Sequence, residues 1–267
     1  MPPISPPQPR TGSGLAGISV VLIVRDGART LNRCLASLER FEDVVVYDNG
    51  SSDNSAGIAS GHANVRLFQG SFEGFGPTRN KAAAHARHDW ILALDADEWL
   101  DSTALEAVAR LNLDSSPGTV YAFRRRNWLV GRRLRSRLGL ERVKRLYHRH
   151  HYRFDGGVHE RLLDVQDKRA RAVVLPGQMG HDPYRDIGQL FDKRLRYADP
   201  RLRGPSHLHP APALLRASWR FLRCYLVHYG LIDGWRGLVL SVAEAYGSFL
   251  KYAWGYAESC ERRASKR

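Results

Sequence analysis

Two aspartates one residue apart, Asp95 and Asp97, follow the apolar run at 90–94. Carboxylates with this spacing can direct oxygens toward one hard cation, and Mg²⁺ and Mn²⁺ prefer oxygen ligands and often complete their shells with phosphate oxygens. A single acidic residue after a strand is more often turn chemistry or a helix cap. A second acidic turn, from Asp48 to Asp53, follows another apolar run. The two clusters together favour a site for a metal ion and a diphosphate.

The elements that must position these carboxylates are short β-branched runs that alternate with helical patterns. Strands are predicted at 18–24, 43–47, 65–68 and 90–94, and helices at 30–41, 54–60 and 77–86. This alternation is typical of an open α/β sheet, whose ligands bind at the carboxyl ends of the strands. The sequence therefore predicts that both acidic clusters lie at one edge of the sheet.

The second half of the chain has a different pattern. A helix is predicted at 102–111, a strand at 119–125, a basic loop over the sheet edge after it, and short strand and turn segments at 144–148 and 153–160. From Pro212 onward, large apolar and aromatic residues recur at helical spacing among arginines. Such a stripe packs on the rest of the protein or faces a membrane surface, and the sequence leaves both possibilities open.

The charge is distributed unevenly along the chain. The formal net charge is +14, yet residues 17–120 contain 9 Lys and Arg against 14 Asp and Glu, whereas residues 121–267 contain 31 against 13. A basic surface of this kind indicates an anionic partner, which can be nucleic acid, anionic lipid or a phosphorylated substrate. The basic segment 121–153 can also be a solvated loop.

Several classes of protein lose support from what the sequence lacks. No uncharged apolar run approaches the roughly 18 residues of a membrane-spanning helix. The three cysteines, Cys34, Cys224 and Cys260, fit neither a disulfide framework nor a zinc site, which favours a cytoplasmic location. Neither a GxxxxGK[ST] loop nor a GxGxxG turn occurs, which argues against P-loop NTPases and dinucleotide dehydrogenases. Residues 1–16 are predicted to be a disordered tail rather than a signal peptide.

Three runs carry a resemblance to a known family: ISVVLIVRDGARTLNRCLASL, VVVYDNGSSDNS and GFGPTRNKAAAHARHDWILALDADEWL. They resemble the nucleotide-sugar half of family 2 glycosyltransferases, which have the GT-A fold. KRLYHRHHYRFDGGVHERL, GHDPYRD and YGLIDGWRGLVLSVAEAYGSFLKYA are similar to the bacterial lipopolysaccharide-core glucosyltransferase subgroup. The resemblance covers about 18–257 and implies a mostly parallel, Rossmann-like sheet flanked by helices, with a C-terminal helical extension.

The resemblance also implies a domain organisation. The expected GT-A catalytic domain is 17–200, with a nucleotide-sugar half at 17–120 and an acceptor half at 121–200. An amphipathic helical region is expected at 211–260.

On the donor side, the resemblance implies roles for individual residues. Asp48 matches the carboxylate that holds uracil and ribose, with Ser52 and Asp53 in the following turn. Asp97 matches the metal ligand and counts as a catalytic residue, whereas Asp95 matches a ribose or water-mediated partner within the same metal motif. The remaining donor-binding candidates lie in the segment beside the nucleotide and are Arg79, Asn80 and Lys81.

On the acceptor side, the resemblance implies that Glu160 is the catalytic base, with Asp155 as the competing candidate. Either carboxylate can instead be a structural partner of the many arginines nearby. His159 lies in the same triplet as Glu160, and His181 is expected to complete the metal shell or to contact the diphosphate. Arg124 and Arg145 are the arginines expected to bind the acceptor or a phosphate.

The implied function is an inverting transfer of one sugar from a nucleoside-diphosphate sugar, with glucose from a UDP-sugar implied by the subgroup. Mn²⁺ or Mg²⁺ is the implied cofactor. The implied acceptor is a phosphorylated, lipid-linked or lipopolysaccharide-core glycan, which places the enzyme peripherally on the inner face of the bacterial inner membrane, at an anionic surface. Processive members of the family carry a QxxRW motif. No such string occurs in this sequence, which favours the addition of one sugar over polymer synthesis.

Three alternatives remain open at this point. A non-enzymatic binder of nucleic acid or acidic polymer fits the basic charge, but paired carboxylates would repel a phosphate backbone unless metals are bound, so nucleic acid is not expected as a partner. A nucleotidyltransferase on a similar sheet requires a better Gly-rich basic turn than Arg25 to Ala28. An inactive glycosyltransferase is disfavoured by the intact Asp48, Asp95 and Asp97. The sequence does not fix the oligomeric state.

Overall fold

A computed structural model describes residues 14–113, 117–156, 161–199 and 209–265. The described residues divide into two compact units. The first unit contains the residues up to Arg125 together with Arg142–Gly180, and the second contains Arg126–Glu141 and the residues from His181 onward. Of the predicted tail at 1–16, residues 1–13 lie outside the described residues. Gly14–Gly17 forms one 3₁₀ turn.

The strands and helices follow in chain order. The strands are β1 Ile18–Val24, β2 Asp43–Asp48, β3 Val65–Gln69, β4 Trp90–Asp95, β5 Glu98–Leu100, β6 Val120–Leu129, β7 Arg132–Arg133, β8 Leu140–His148, β9 Tyr152–Asp155, β10 Arg161–Asp164 and β11 Ala172–His181. The helices are α1 Ala28–Ala36, α2 Ser55–Ser60, α3 Phe75–Ala84, α4 Ser102–Ala109, α5 Ile187–Ala198, α6 Pro210–Leu222 and α7 Trp235–Ala264.

The main sheet has the strand order β3-β2-β1-β4-β8-β6-β11-β5. Strand β1 pairs in parallel with β2 and β4, β2 pairs in parallel with β3, and β8 is antiparallel to β4. In this register Val24 lies opposite Asp48, and Ile23 lies opposite Asp95. The expected α/β fold is confirmed, and the two acidic clusters flank the carboxyl end of β1.

Alternate residues of β1 pack into different layers because side chains of a strand point to opposite faces. Val20, Leu22 and Val24 join a core that includes Leu31 and Leu35 of α1. Val21 and Ile23 join the opposite core, which includes Ala82 and Ala83 of α3. Because β1 is buried on both faces, its end is held rigidly between two packed layers.

The prediction of a loop for the basic segment after residue 125 was wrong. Strand β6 continues to Leu129, the chain turns at Val130 and Gly131, and β7 pairs antiparallel with Trp128 and Leu129. A 3₁₀ turn at Arg137–Gly139 then leads into β8. The sequence pattern did not indicate these strands because the segment is rich in arginine and few apolar residues mark its buried positions. Leu129 and Leu134 belong to the apolar core of the second unit.

Helices α5 and α6 both pack against α7 within the second unit. A polar link reinforces this packing, since Glu244 of α7 pairs with Arg194 of α5 at 2.6 Å and with Arg220 of α6 at 2.7 Å. Leu190 and Leu240 contribute to the apolar core of this unit. Within the described ranges, no helix has both the length and the apolar character needed to cross a membrane.

Candidate active site

The turn after β2 is organised around Asp48, the last residue of that strand. Asp48 is buried, and its Oδ1 accepts hydrogen bonds from the backbone N–H of Ser51 at 2.9 Å and from the Ser51 hydroxyl at 2.7 Å. These bonds hold the carboxylate at the carboxyl end of the parallel strands. The position agrees with the predicted role of Asp48 in donor binding, and the role itself stays a prediction.

Ser52 connects the turn after β2 to the turn after β1. Its N–H and hydroxyl both donate to Oδ1 of Asp26, at 2.7 and 3.0 Å. Asp26 has a φ of 52°, a left-handed conformation that Asp tolerates better than most residues. The hydrogen bonds from Ser52 lower the pKa of Asp26. Sequence reasoning missed Asp26 as a site residue; its only signal was the Asp-Gly pair directly after a strand.

Asp53 connects the same two turns from the other side. Its Oδ2 accepts from the N–H of Ala28 at 2.9 Å, and its Oδ1 accepts from the N–H and the hydroxyl of Ser55. Desolvation acts to raise the pKa of Asp53, but these hydrogen bonds outweigh it and the pKa is lowered. Asp53 therefore fixes the turn that carries Asp48 while remaining ionised at neutral pH.

Asp95 of the second acidic cluster belongs to a network of ion pairs that extends into the interior of the first unit. Asp95 Oδ1 accepts from Nη2 of Arg79 at 2.7 Å, and its Oδ2 accepts from Nη2 of Arg145 at 2.6 Å. Glu98 Oε1 accepts from Arg145 at 2.6 Å and from Arg125 at 2.8 Å. We call these five residues the ion network; the Arg79 side chain is 1% exposed and that of Glu98 is 0% exposed.

The ion network fixes the protonation state of Asp95. Burial by itself would raise the pKa of this carboxyl, but the charges of Arg145 and Arg79 outweigh burial and hold the pKa well below its usual range. The Glu98 carboxylate also accepts from the N–H of Asp95 at 3.1 Å, which fixes the backbone just before Asp97. The network thus presents the Asp95 to Asp97 turn in one defined geometry.

The predicted metal ligands differ in how well they suit a cation. Both oxygens of Asp95 already accept hydrogen bonds from arginines, and its contact with a cation, direct or through water, stays a prediction. Asp97 is half-buried in the turn between β4 and β5, where it offers the hard oxygen ligand that Mg²⁺ or Mn²⁺ prefers. In the described part of the chain, no group of three or more His, Cys, Asp or Glu side chains could hold a metal ion. The metal site stays a prediction, in which Asp97 would share the cation with diphosphate oxygens.

The other donor-side candidates have structural partners. Lys81 pairs with Glu73 at 2.7 Å, and both side chains are about half exposed. Asn80 donates to the carbonyl oxygen of Phe154 at 2.7 Å, and its Oδ1 accepts from the N–H of Phe154 at 3.0 Å. Asn80 therefore ties α3 to β9, the strand that precedes the predicted acceptor residues.

The approach of α3 to β9 depends on Gly76. A Cβ at this position would lie 2.8 Å from the carbonyl oxygen of Gly156, and the Gly76 N–H donates to that oxygen at 3.3 Å. Asp155, the alternative base, is exposed at the end of β9. The predicted base Glu160 and its neighbour His159 lie outside the described residues.

The remaining acceptor-side candidates fall in different environments. Arg124 is exposed on β6, whereas Arg145 is buried and already pairs with Asp95 and Glu98. His181 belongs to the second unit, where its Nδ1 lies 2.7 Å from Oδ1 of Asn127. Sequence reasoning missed Glu98 and did not distinguish Arg125 from its basic neighbours, because nothing in the local pattern indicates that the two side chains meet.

The comparisons with known proteins agree with this fold. The model of the family described as Glycosyl transferase family 2 matches residues 19–170, more than half of the chain. The matched range contains the turns with Asp48 and Asp97 and the whole ion network. The chain belongs to glycosyl transferase family 2, as its sequence predicted, and members of this family have the GT-A fold.

Two relatives and one solved structure illustrate the likeness. A TPR repeat-containing protein of Synechococcus elongatus is 36% identical over 158 residues, which cover 57% of this chain and 37% of that protein. The lipopolysaccharide core biosynthesis glycosyltransferase LpsC of Rhizobium meliloti is 26% identical over 118 residues, which cover 43% of this chain and 44% of that protein. The chain thus spans less than half the length of these two relatives. Staphylococcus aureus TarS, solved in complex with UDP-GlcNAc, aligns with a TM-score of 0.44 at 15% identity, covering 92% of each chain.

Replacing Glu98 with Gln is expected to destabilise the first unit strongly. The change keeps the shape but removes the negative charge that faces the buried Arg145 and the largely buried Arg125. Breaking a buried ion pair in this way costs about 3–5 kcal/mol. Urea unfolding followed by circular dichroism measures the loss. The matched control is Glu106→Gln, which breaks the exposed pair with Arg40 and is expected to cost about 0–1 kcal/mol. Equal losses in the two variants would contradict the importance of the ion network.

The stability contributed by Asp95 is expected to depend on pH. Its folded pKa is depressed, so its ionised form stabilises the fold above the unfolded pKa of about 3.9, and this stabilisation is lost as pH falls toward the folded pKa. The gap in unfolding free energy between the wild type and Asp95→Asn should therefore be widest near neutral pH and should narrow below about pH 4. Urea titrations at several pH values measure the gap. Glu39→Gln, an exposed change, should show no such trend, and a pH-independent gap for Asp95→Asn would refute the linkage.

Proposed function

We propose that this chain transfers one sugar from a nucleoside-diphosphate sugar, most simply a UDP-sugar, to a phosphorylated, lipid-linked glycan. The observation that carries the proposal is the meeting of Asp48 and the Asp95 to Asp97 turn at the carboxyl ends of β2, β1 and β4, in a chain that belongs to family 2. Ligands of open α/β sheets bind at this edge.

Donor binding is assigned to the turns after β1 and β2. The buried Asp48 carboxylate can accept hydrogen bonds from the uracil or ribose of the donor. Asp26 and Asp53 hold the two turns together through Ser52, Ser55 and Ala28. These turns are therefore preorganised for the nucleoside, so that little ordering is needed on binding.

Stabilisation of the leaving group is assigned to the turn at Asp97. A Mn²⁺ or Mg²⁺ ion bound there would supply positive charge for the diphosphate. The ion network contributes three arginines and two carboxylates, which hold the turn in place without competing for the cation. Asp95 in particular keeps its negative charge through Arg79 and Arg145. Asp97 is the side chain of the turn that we assign to direct metal contact.

The transfer itself is a single displacement with inversion. An acceptor hydroxyl attacks the anomeric carbon, the bond from that carbon to the diphosphate oxygen breaks, and the electron pair leaves with the diphosphate. The hydroxyl proton passes to a carboxylate acting as general base. We assign this role to Glu160, with Asp155 as the alternative, on the basis of the sequence resemblance. Asp155 lies between Phe154 and Gly156, the two residues that contact Asn80 and Gly76 of α3.

The acceptor class rests on the charge of the second half of the chain and on the name of one relative. The surplus of basic residues after Val120 suits a phosphorylated glycan and the anionic membrane surface that holds its lipid. The relative LpsC is named as a lipopolysaccharide core biosynthesis glycosyltransferase. We therefore place the enzyme peripherally at the inner face of the membrane, with glucose as the first donor sugar to test.

Asp97→Asn is expected to lower metal-dependent turnover strongly while leaving the fold intact. The full chain is incubated with a panel of UDP- and GDP-sugars, with and without Mn²⁺ or Mg²⁺, and nucleotide release and thermal shift are measured. The wild type should bind at least one donor more tightly with metal present, and Asp97→Asn should lose about 10²-fold or more in turnover. Asp192→Asn, an exposed change in the second unit, serves as the control. Absence of any metal-dependent donor binding by the wild type would overturn the proposal.

Glu160→Gln and Asp155→Asn distinguish the two candidate bases. Loss of the base should lower turnover by about 10²- to 10⁴-fold while donor affinity stays unchanged, because the base acts on the acceptor proton. Isothermal titration with the donor and a turnover assay separate the two effects. Near-full turnover of Glu160→Gln with normal donor binding would transfer the role to Asp155, provided that Asp155→Asn then shows the loss.

A further inference from the structure

Large apolar side chains are exposed where α6 and α7 are joined. The connection consists of a π-helical turn at Arg223–Val227 and a 3₁₀ turn at Gly230–Asp233. The side chains that we call the apolar tip are each 47–56% exposed and are Leu226, Val227, Tyr229, Leu231, Ile232 and Trp235. Connections between helices are ordinarily polar, and a contiguous exposed apolar patch marks an interaction site.

The apolar tip continues along the outer face of α6. Leu215 and Trp219 are 74% and 62% exposed, and they lie four residues apart in line with Leu222 and Leu226. Beside this stripe, α6 and α7 border an open apolar groove of about 500 Å³, lined in part by Phe221 and Phe249. The apolar surface therefore extends well beyond a few scattered side chains.

Exposed arginines lie next to the apolar tip. The basic collar, as we call it, consists of Arg132, Arg133, Arg135 and Arg137, all exposed. Asp233 of the tip connection accepts from the N–H of Arg135 at 2.6 Å and from that of Ser136 at 3.0 Å. The N–H of Arg137 donates to the carbonyl oxygen of His228 at 3.0 Å. The basic collar and the apolar tip are thus fixed to each other within the second unit.

Two arginines link the charged and aromatic parts directly. The Arg236 guanidinium lies 4.4 Å from the ring centre of Trp235 and donates to the carbonyl oxygens of Leu129 and Val130. Arg137 lies 5.6 Å from the ring centre of Tyr229. Aromatic rings flanked by arginines at the edge of an apolar surface are typical of groups that sit at the boundary between lipid headgroups and acyl chains.

The turn that carries the collar has an unusual backbone. Val130 has a φ of 46° and is 39% exposed. A β-branched residue is disfavoured in this left-handed conformation, where Gly or Asn would be less strained. The turn therefore presents an apolar side chain to the outside at an energetic cost, and Arg236 connects that turn to the tip.

We propose that the apolar tip and the basic collar form a docking surface that inserts into the interface of an anionic lipid bilayer. A nucleic acid partner would not need exposed aliphatic side chains. A second copy of the chain is disfavoured, because a two-fold interface pairs this surface with itself, and the collar would add positive charge to both sides of that interface. In a lipid bilayer, acyl chains can cover the apolar tip while anionic headgroups pair with the basic collar. The inference deepens the membrane part of the proposed function, and its test needs no sugar transfer.

The experiment is vesicle flotation of the full chain at two lipid compositions. One set of vesicles is phosphatidylcholine alone, and the other contains about 30% phosphatidylglycerol. The wild type should bind the anionic vesicles and lose binding at high salt. Ile232→Asp in the tip should weaken binding by roughly tenfold or more. Val165→Asp, a matched change at an exposed valine of the first unit, should bind like the wild type.

The basic half of the surface is tested by Arg132→Ala combined with Arg133→Ala, which should weaken binding to anionic vesicles by roughly thirtyfold. Tryptophan emission should shift to the blue on binding, and Trp235→Phe should reduce that shift. Equal binding of the wild type and Ile232→Asp, or equal binding to both lipid compositions, would overturn the proposal. Sedimentation velocity showing a dimer that Ile232→Asp dissociates would overturn it as well, in favour of a second copy. Loss of vesicle binding with donor turnover retained would separate this inference from the proposed function.

Discussion

The pairing of Asp95 with the buried Arg79 and Arg145 is the interaction on which the candidate site depends. Three buried or nearly buried guanidinium groups and two carboxylates compensate one another, and each is costly to bury without the others. The network joins α3, β4, β5, β6 and β8 through side chains that lie up to 66 positions apart, from Arg79 to Arg145. The turn that carries Asp97 is therefore held at both of its ends by arginines from α3, β6 and β8, which is the kind of preorganisation that electrostatic catalysis requires.

A second constraint acts on the turns after β1 and β2. Asp26 and Asp53 use their oxygens on backbone N–H groups and serine hydroxyls, so the two turns form one unit around the carboxyl end of β1. In this arrangement most acidic residues of the first half have structural duties. Asp48 and Asp97 are the ones that we assign to direct ligand contact. The acidic residues of 17–120 thus include some that stabilise the turns and others that we assign to ligand binding.

The basic excess of the second half also has more than one origin. Arg125 and Arg145 neutralise buried carboxylates, Arg194 and Arg220 hold the helices of the second unit through Glu244, and the collar arginines remain exposed beside the apolar tip. A net charge by itself does not distinguish these three uses. Of these three uses, the exposed collar is the one that suits an anionic membrane surface.

The sequence by itself determined the family, the α/β class and the strand ends that carry Asp48, Asp95 and Asp97, because short buried β-branched runs and acidic turns are local patterns. It failed for 126–143, where strands without an apolar alternation were predicted as a loop. The tertiary structure alone decided that Arg145 is buried and pairs with Asp95 and Glu98, and that the collar lies beside the tip. The physical reason is that ion pairs and surface patches form between residues distant in the chain, whose partners no local spacing encodes.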